Sequence, residues 1–322
     1  MSNEPNNPDP KTLPGLSQPI KKGDAGFNPL TGGEPTEKDK LHKQPRAYLK
    51  TSAQLVGKTT NEATLFSISG ADVMPETRGM KEVISKNTAI LGTYLFQLWQ
   101  KSGGDELEID NLNPIAEMMG VKNHEIKVYL LHLGGYTHPI IDKGKDGGLN
   151  LTIEQLFHVT FRYSSKVSAK YKGKEVPTFG TKTLSFIKDE HLEGITIRPN
   201  PLFIKALNGG GLGNVLVPDD KFIKLGLSLS DIAFKILCYT ASNKPICKIS
   251  EENLVKALGL MKQIKVQGTP RIRQTILKGL KELQDKLHIK SFSFDESEKM
   301  YSFIYSSIFI KHTEFIQKEE AK

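Results

Sequence analysis

Apolar residues are scarce and unpatterned over the first fifty positions, where Leu13, Leu16, Ile20, Phe27 and Leu30 stand apart among Pro, Asn, Gly and Lys. Such a stretch buries too little apolar surface to order itself and reads as a disordered tail. Residues 51–85 are ambiguous. The run Leu-Phe-Ser-Ile at 65–68 has strand character, whereas Gly70, Pro75 and Gly79 break any long element. Tail and lead-in together are assigned to residues 1–80.

From Asn87 the pattern tightens. Ile90, Leu91, Tyr94, Leu95, Leu98 and Trp99 recur at helical spacing over 88–101, and Gly103-Gly104 ends that helix. Asp110 is placed as the N-cap of a short helix that closes at Gly120. A third helix is expected from Asn123 to Leu133, stopped by Gly134-Gly135. Pro139–Ile141, a polar turn at 143–148 and the alternation Leu149, Leu151, Ile153 then read as a hairpin. Three short helices followed by a hairpin is the element order of a winged helix.

The order recurs downstream. Leu229–Thr240 reads as a helix with Ile232, Ala233, Ile236 and Leu237 inward; Ser250 caps a second helix ended by Gly259. Thr269, with Pro270 behind it, is placed as the N-cap of a third helix running to Leu287. Ile289, Phe292 and Phe294, a turn at 295–298, and Met300–Tyr305 complete a second hairpin. The repeat is one of pattern and not of residue identity. Alternation of the aromatics with Ser291, Ser293 and Ser302 assigns them to a core, in preference to a stacking platform for bases. Residues 161–197 look strand-rich, with a basic turn at 166–174, and 208–213 forms the loop between copies. The expected fold is therefore α+β: two tandem winged helices, 81–207 with a strand-rich extension and 208–322 as the main DNA reader.

Charge sharpens this picture. The chain of 322 residues carries a net charge of +8, which suits a polyanionic partner. Between Lys244 and Lys290 nine Lys and two Arg face three Glu and one Asp, so +7 lies in that one stretch. Over Lys86–Tyr163 seven basic residues face nine acidic ones, a balance of −2. On the helix opened by Thr269, Ile272, Ile276, Leu280, Leu283 and Leu287 fall in one narrow stripe at about 100° per residue. Arg271, Gln274, Lys278 and Lys281 centre opposite it, and Arg273 lies on its edge. An anchored stripe backed by these donors suits a major groove: Arg takes guanine, Gln takes adenine, and Lys neutralises phosphate. In the first copy Asn123, His124 and Lys127 hold the matching positions, with Lys143 and Lys145 at the hairpin tip.

Enzyme signatures fail in turn. Gly57-Lys58-Thr59 resembles the end of a phosphate-binding loop, but Ser52 stands where the upstream Gly belongs. Gly209 and Gly211 start a dinucleotide fingerprint that Asn214 breaks. No two of the eight His fall at metal-ligand spacing on one helix, and no His-apolar-His accompanies a tyrosine as in nicking initiators. The reading is of a protein without catalytic residues, metal or cofactor. Cys238 and Cys247 are no disulfide framework, and the sequence shows neither an apolar membrane span nor a signal peptide, so a cytoplasmic location is expected.

The arrangement resembles the iteron-binding replication initiators of bacterial plasmids, over about residues 81–312. The resemblance rests on element order, on Val217-Pro-Asp-Asp220 and Leu229-Ser-Asp231 leading into the second copy, and on Thr269-Pro-Arg-Ile-Arg-Gln274. It implies a C-terminal winged helix that reads each repeat through Thr269, Arg271, Arg273, Gln274, Lys278 and Lys281. It further implies an N-terminal one that touches a neighbouring part of the site and mediates dimer contacts, opening of the origin, and recruitment of the host initiator and replicative helicase. Rival readings are a transcriptional regulator with the same helix, an origin-nicking enzyme, and a protein-interaction module.

Overall fold

The structure is a computed structural model that describes residues 41–57, 66–67, 84–104, 106–135, 137–143, 149–163, 170–171, 174–175, 192–208, 213–242, 248–286 and 288–305. Residues 1–40 of the expected tail, the hairpin tip with Lys145, Leu287, and the loop at 209–212 lie outside them.

Order begins well before residue 80. Strand β1 (Leu41–Pro45) leads through Pro45 into helix α1 (Arg46–Leu55), whose Ala47, Tyr48, Leu49 and Ala53 are buried. The sequence masks this because the apolar positions of α1 are few and alternate with Lys50, Thr51 and Ser52, of which Thr51 and Ser52 are themselves buried. Strand β2 is the pair Phe66–Ser67. Helix α2 (Lys86–Lys101) starts at Ser85, whose hydroxyl accepts the Thr88 amide. It is buried on nearly every side, so it forms the axis of the molecule. A Cβ at Gly92 would lie 1.9 Å from the Tyr48 hydroxyl; the glycine lets the α1 tyrosine cross α2 and donate to the Ala89 carbonyl.

Strand β3 (Leu107–Ile109) follows, then α3 (Asn113–Met119), closed by left-handed Gly120. Asp110 is not its cap. Leu107 and Ile109 bury as strand residues, the helix opens after Leu112, and Asn111 Oδ1 takes the Asn113 amide. Helix α4 (Asn123–Gly135) runs through both glycines that were expected to stop it. Gly134 is there for close approach: its Cβ would meet Val159 Cγ2 at 2.7 Å.

Strands β4 (Thr137–Lys143) and β5 (Leu149–Gln155) form the expected hairpin, with β2 parallel to β4. Next come β6 (Phe157–Tyr163), the two-residue pair β7 (Lys170–Tyr171) and β8 (Lys174–Glu175), and β9 (Leu192–Pro199). β9 sits centrally in a sheet of order β3-β9-β6. Helix α5 (Pro201–Asn208) leads to β10 (Asn214–Pro218), which pairs antiparallel with β1.

The C-terminal part contains α6 (Asp219–Ser228), α7 (Asp231–Ser242), β11 (Lys248–Ser250), α8 (Glu251–Ala257), α9 (Met261–Gln267), α10 (Thr269–Asp285), β12 (Ile289–Asp295) and β13 (Met300–Tyr305). Its sheet has the order β11-β13-β12. Ser250 caps α8 as expected, accepting the Asn253 amide. Thr269 is inside α10 and not its cap; the cap is Gly268 at φ 80°, a left-handed residue that lets two helices follow each other with almost no linker. Helix α9 itself carries too short a pattern to be read from sequence.

The fold is α+β. One buried cluster runs from Ala47 through α2 to Phe303, and β1 and α1 knit its two ends together. Gln44 donates to the Thr93 carbonyl, Lys86 reaches the Leu227 and Leu229 carbonyls, and Gln97 donates to Asp220. Lys235, buried on α7, donates to the Leu258 carbonyl and approaches that of Gln54 at 3.5 Å. The last hairpin confirms the core reading of its aromatics: Tyr301 and Phe303 are buried, and Phe292 and Phe294 pack against them.

Candidate nucleic-acid interface

Helix α10 is anchored as its sequence dictates. Ile272, Ile276, Leu280 and Leu283 are at most 1% exposed, and Gly279 brings the helix against Ile236 and Ile232 of α7. Opposite this stripe Arg271, Gln274, Lys278 and Lys281 are all exposed. The side chains of Arg271, Gln274 and Lys278 make no hydrogen bond or ion pair with the described residues, although the Arg271 carbonyl accepts from the Thr275 hydroxyl. Thr269 is half-buried at the first turn.

Two predicted contacts are spent elsewhere. Arg273 grips Glu251 with both Nε (2.7 Å) and Nη2 (2.9 Å), and Glu296 with Nη1 at 2.9 and 3.0 Å. Its guanidinium also lies 4.5 Å from the Phe294 ring centre. The hydrogen bonds to Glu251 push its pKa above the ordinary arginine value. Arg273 therefore fastens α10 to α8 and to the β12–β13 turn and is unavailable to DNA. The cause is its place at the edge of the stripe, where a long cation meets the buried Glu251. Lys281 remains exposed but pairs with Asp285 at 2.9 Å one turn on, and that carboxylate offsets its charge.

The positions in the first half fare differently. Lys127 is 3% exposed, packed on the same side of α4 as Ile126 and Leu130, so it cannot reach a duplex. Asn123 gives its amide to Asn113 Oδ1 at 2.7 Å, joining α4 to α3. His124 is exposed. Lys143 ends β4 opposite Leu149, and Lys145 lies outside the described residues. The structure thus gathers Arg271, Gln274 and Lys278 on one face and leaves the α4 residues apart from it.

The charge excess of this half has a finer pattern. From Asn253 to Lys281 there is no acidic residue, while Lys256, Lys262, Lys265, Arg271, Arg273, Lys278 and Lys281 all fall inside that stretch. The structure turns this into a surface, with Lys256, Lys262 and Lys265 exposed on α8 and α9. Behind it, His288 is buried against Thr240 Oγ1 (3.0 Å), and burial lowers its pKa to about 3. The β12–β13 turn bears the opposite sign: Asp295, Glu296 and Glu298 surround Lys299, and Asp295 accepts from the Ser297 hydroxyl and from the Ser297 and Glu298 amides, which lowers its pKa.

Among the described residues no group of three or more His, Cys, Asp and Glu is arranged to hold a metal ion, and no helix is long and apolar enough to cross a membrane. No protein-family profile matches the chain, and no curated protein matches it in sequence. Among solved structures the chain is similar to a Pi initiator protein in complex with iteron DNA, at 13% identity and a TM-score of 0.46, over 84% of this chain and 100% of that one. A likeness of that size assigns the chain to no family.

Proposed function

We propose that this protein is a sequence-specific double-stranded DNA-binding replication initiator, whose α10 enters the major groove of repeated sites at a plasmid origin. One observation carries the reading: Arg271, Gln274 and Lys278 stand exposed on a helix whose opposite side is fully anchored. Such a helix presents donors at a fixed angle, so guanine and adenine edges are met without the cost of ordering the backbone. The element order α7, β11, α8, α10, β12, β13, with sheet order β11-β13-β12, supports a winged helix in this half. The first half keeps a similar order of helices but closes β3 with β9, and we assign it a second winged helix used for protein contacts. The initiator role rests on the resemblance carried by the 217–220, 229–231 and 269–274 segments. On this reading the protein acts in the cytoplasm without catalysis, bending or opening DNA by binding energy, with the host initiator, the replicative helicase and a second copy of itself as partners.

Gel shifts of the full chain on the duplex recovered from a random-sequence selection, and on its scramble, test the DNA reading. Arg271→Ala and Gln274→Ala each cost about 1–3 kcal/mol on the selected duplex and narrow the gap to the scramble. Equal, unchanged affinity for both duplexes overturns the reading. A plasmid carrying only this gene and its upstream DNA separates initiator from regulator: failure to replicate favours the regulator.

A further inference from the structure

Helix α9 is anomalous. None of its seven residues is buried, and a two-turn helix has little stability of its own in water. Ile264 packs on the core, and its amide and carbonyl continue the helix to the Leu260 carbonyl and the Gly268 amide. Apart from half-buried Gln263 the rest faces solvent, including Val266 at 85% exposure and Met261 at 44%, beside Lys262 and Lys265. Apolar side chains so displayed beside cations call for a partner that is both anionic and partly apolar.

We infer that α9 is a second DNA-contacting element, in which Lys265, with Lys262 beside it, neutralises backbone phosphate and Val266 packs against the deoxyribose edge between phosphates. The inference rests on the DNA reading of α10 and extends it. The occupant is set by charge: α9 bears no acidic residue and lies inside the acid-free stretch from Asn253 to Lys281. It is set also by chain geometry, since Gly268 at φ 80° joins α9 directly to α10. Arg271 lies five positions after Val266, at most about 18 Å of fully extended chain, so both meet one duplex within a single helical turn of about 34 Å. Because α9 carries backbone contacts, it adds affinity without sequence preference.

Lys265→Ala and Val266→Glu in the full chain test this on the selected and scrambled duplexes across a salt series. Lys265→Ala lowers the slope of log K against log salt by about 0.9 on both duplexes and leaves their affinity ratio unchanged. Val266→Glu, which puts a carboxylate against phosphate, weakens both by about tenfold or more. Both positions are exposed, so both variants keep the wild-type melting temperature; should Val266→Glu lower it, the Lys265→Ala slope decides. If both variants keep wild-type affinity and slope while Arg271→Ala weakens the selected duplex, α9 is not a contact and the α10 reading stands. If the wild-type chain binds neither duplex in a salt-dependent way, both fall together.

Discussion

Helices α4 and α10 hold the same place in two similar runs of elements, yet their surfaces have opposite fates. In α10 a narrow apolar stripe leaves Arg271, Gln274 and Lys278 in solvent. In α4 the stripe is wider: Lys127 is drawn inside with Ile126 and Leu130, Asn123 is tied to α3, and Gly134 presses on β6. The sheets diverge in parallel, since β13 returns beside β11 in the second half while β9, from far along the chain, covers β3 in the first. A helix packed on two flanks has little polar face to offer a groove. The lesson is that the width of the buried stripe, more than the count of basic residues, decides whether a helix keeps a polar face free, as the proposed reading of α10 requires.

The largest test strikes within α10, between two arginines two residues apart. Arg273→Ala strands Glu251, which is buried, without its partner, and unfolding free energy falls by about 3–5 kcal/mol in urea titration. Arg271→Ala leaves stability within about 0.5 kcal/mol and acts only on DNA. If Arg273→Ala melts like the wild type and loses DNA affinity instead, the division between anchor and reader is wrong.

The second test is acid. Burial lowers the pKa of His132 on α4 and of His288 behind α10, the latter to about 3. The folded value of His288 lies below the ordinary histidine value of 6.5, so its contribution to stability is complete above that pH. It is lost as pH falls towards 3, at up to about 1.4 kcal/mol per pH unit. Unfolding at pH 7, 5 and 4, compared with His288→Gln, isolates this slope from that of the carboxylates; parallel curves would refute it.

Third, each of the two helices has a glycine at its closest approach. Ala at Gly134 puts Cβ 2.7 Å from Val159 Cγ2 and 3.2 Å from the Phe157 carbonyl oxygen, so Gly134→Ala destabilises by about 1–3 kcal/mol. Ala at Gly279 meets mainly side-chain methyls, Ile236 Cδ1 at 3.0 Å and Ile232 Cγ2 at 3.2 Å. These give way more readily, and a gain of about 1 kcal/mol in helix propensity offsets the strain. Equal melting shifts for the two variants would remove the distinction in packing.

The legible and illegible parts of the fold follow from the same physics. Helices α2, α3, α4, α7, α8 and α10 and both hairpins announce themselves by period, cap or turn, and the stripe of α10 is readable through Ile272, Ile276, Leu280 and Leu283, with Leu287 outside the described residues. Strands β3 and β9 and helix α1 depend on partners far along the chain, and no local period encodes the pairing of Leu41–Pro45 with Asn214–Pro218. Gly134 has the same letter whether it stops a helix or admits a neighbour, and only Val159 decides. At the interface, Arg273 and Lys127 were misplaced because a helical wheel gives a direction and says nothing of which carboxylate or apolar wall waits there.

The smallest effect concerns the far end of the reading face. Lys281 shares that face with Lys278 but is 2.9 Å from Asp285, both side chains being more than half exposed. An exposed i,i+4 pair contributes about 0.3–0.5 kcal/mol to stability, and it presents almost no net charge to a phosphate. Lys281→Ala therefore weakens every duplex by less than Lys278→Ala does, although it bares Asp285. The double change Lys281→Ala with Asp285→Ala restores affinity, because the repelling carboxylate goes with the cation. A salt series on these three variants and the wild type reads the difference as slope: a loss for Lys278→Ala, and the wild-type slope for the double. Should the double bind as weakly as Lys278→Ala, Lys281 contacts DNA directly, and the reading face extends a turn further along α10.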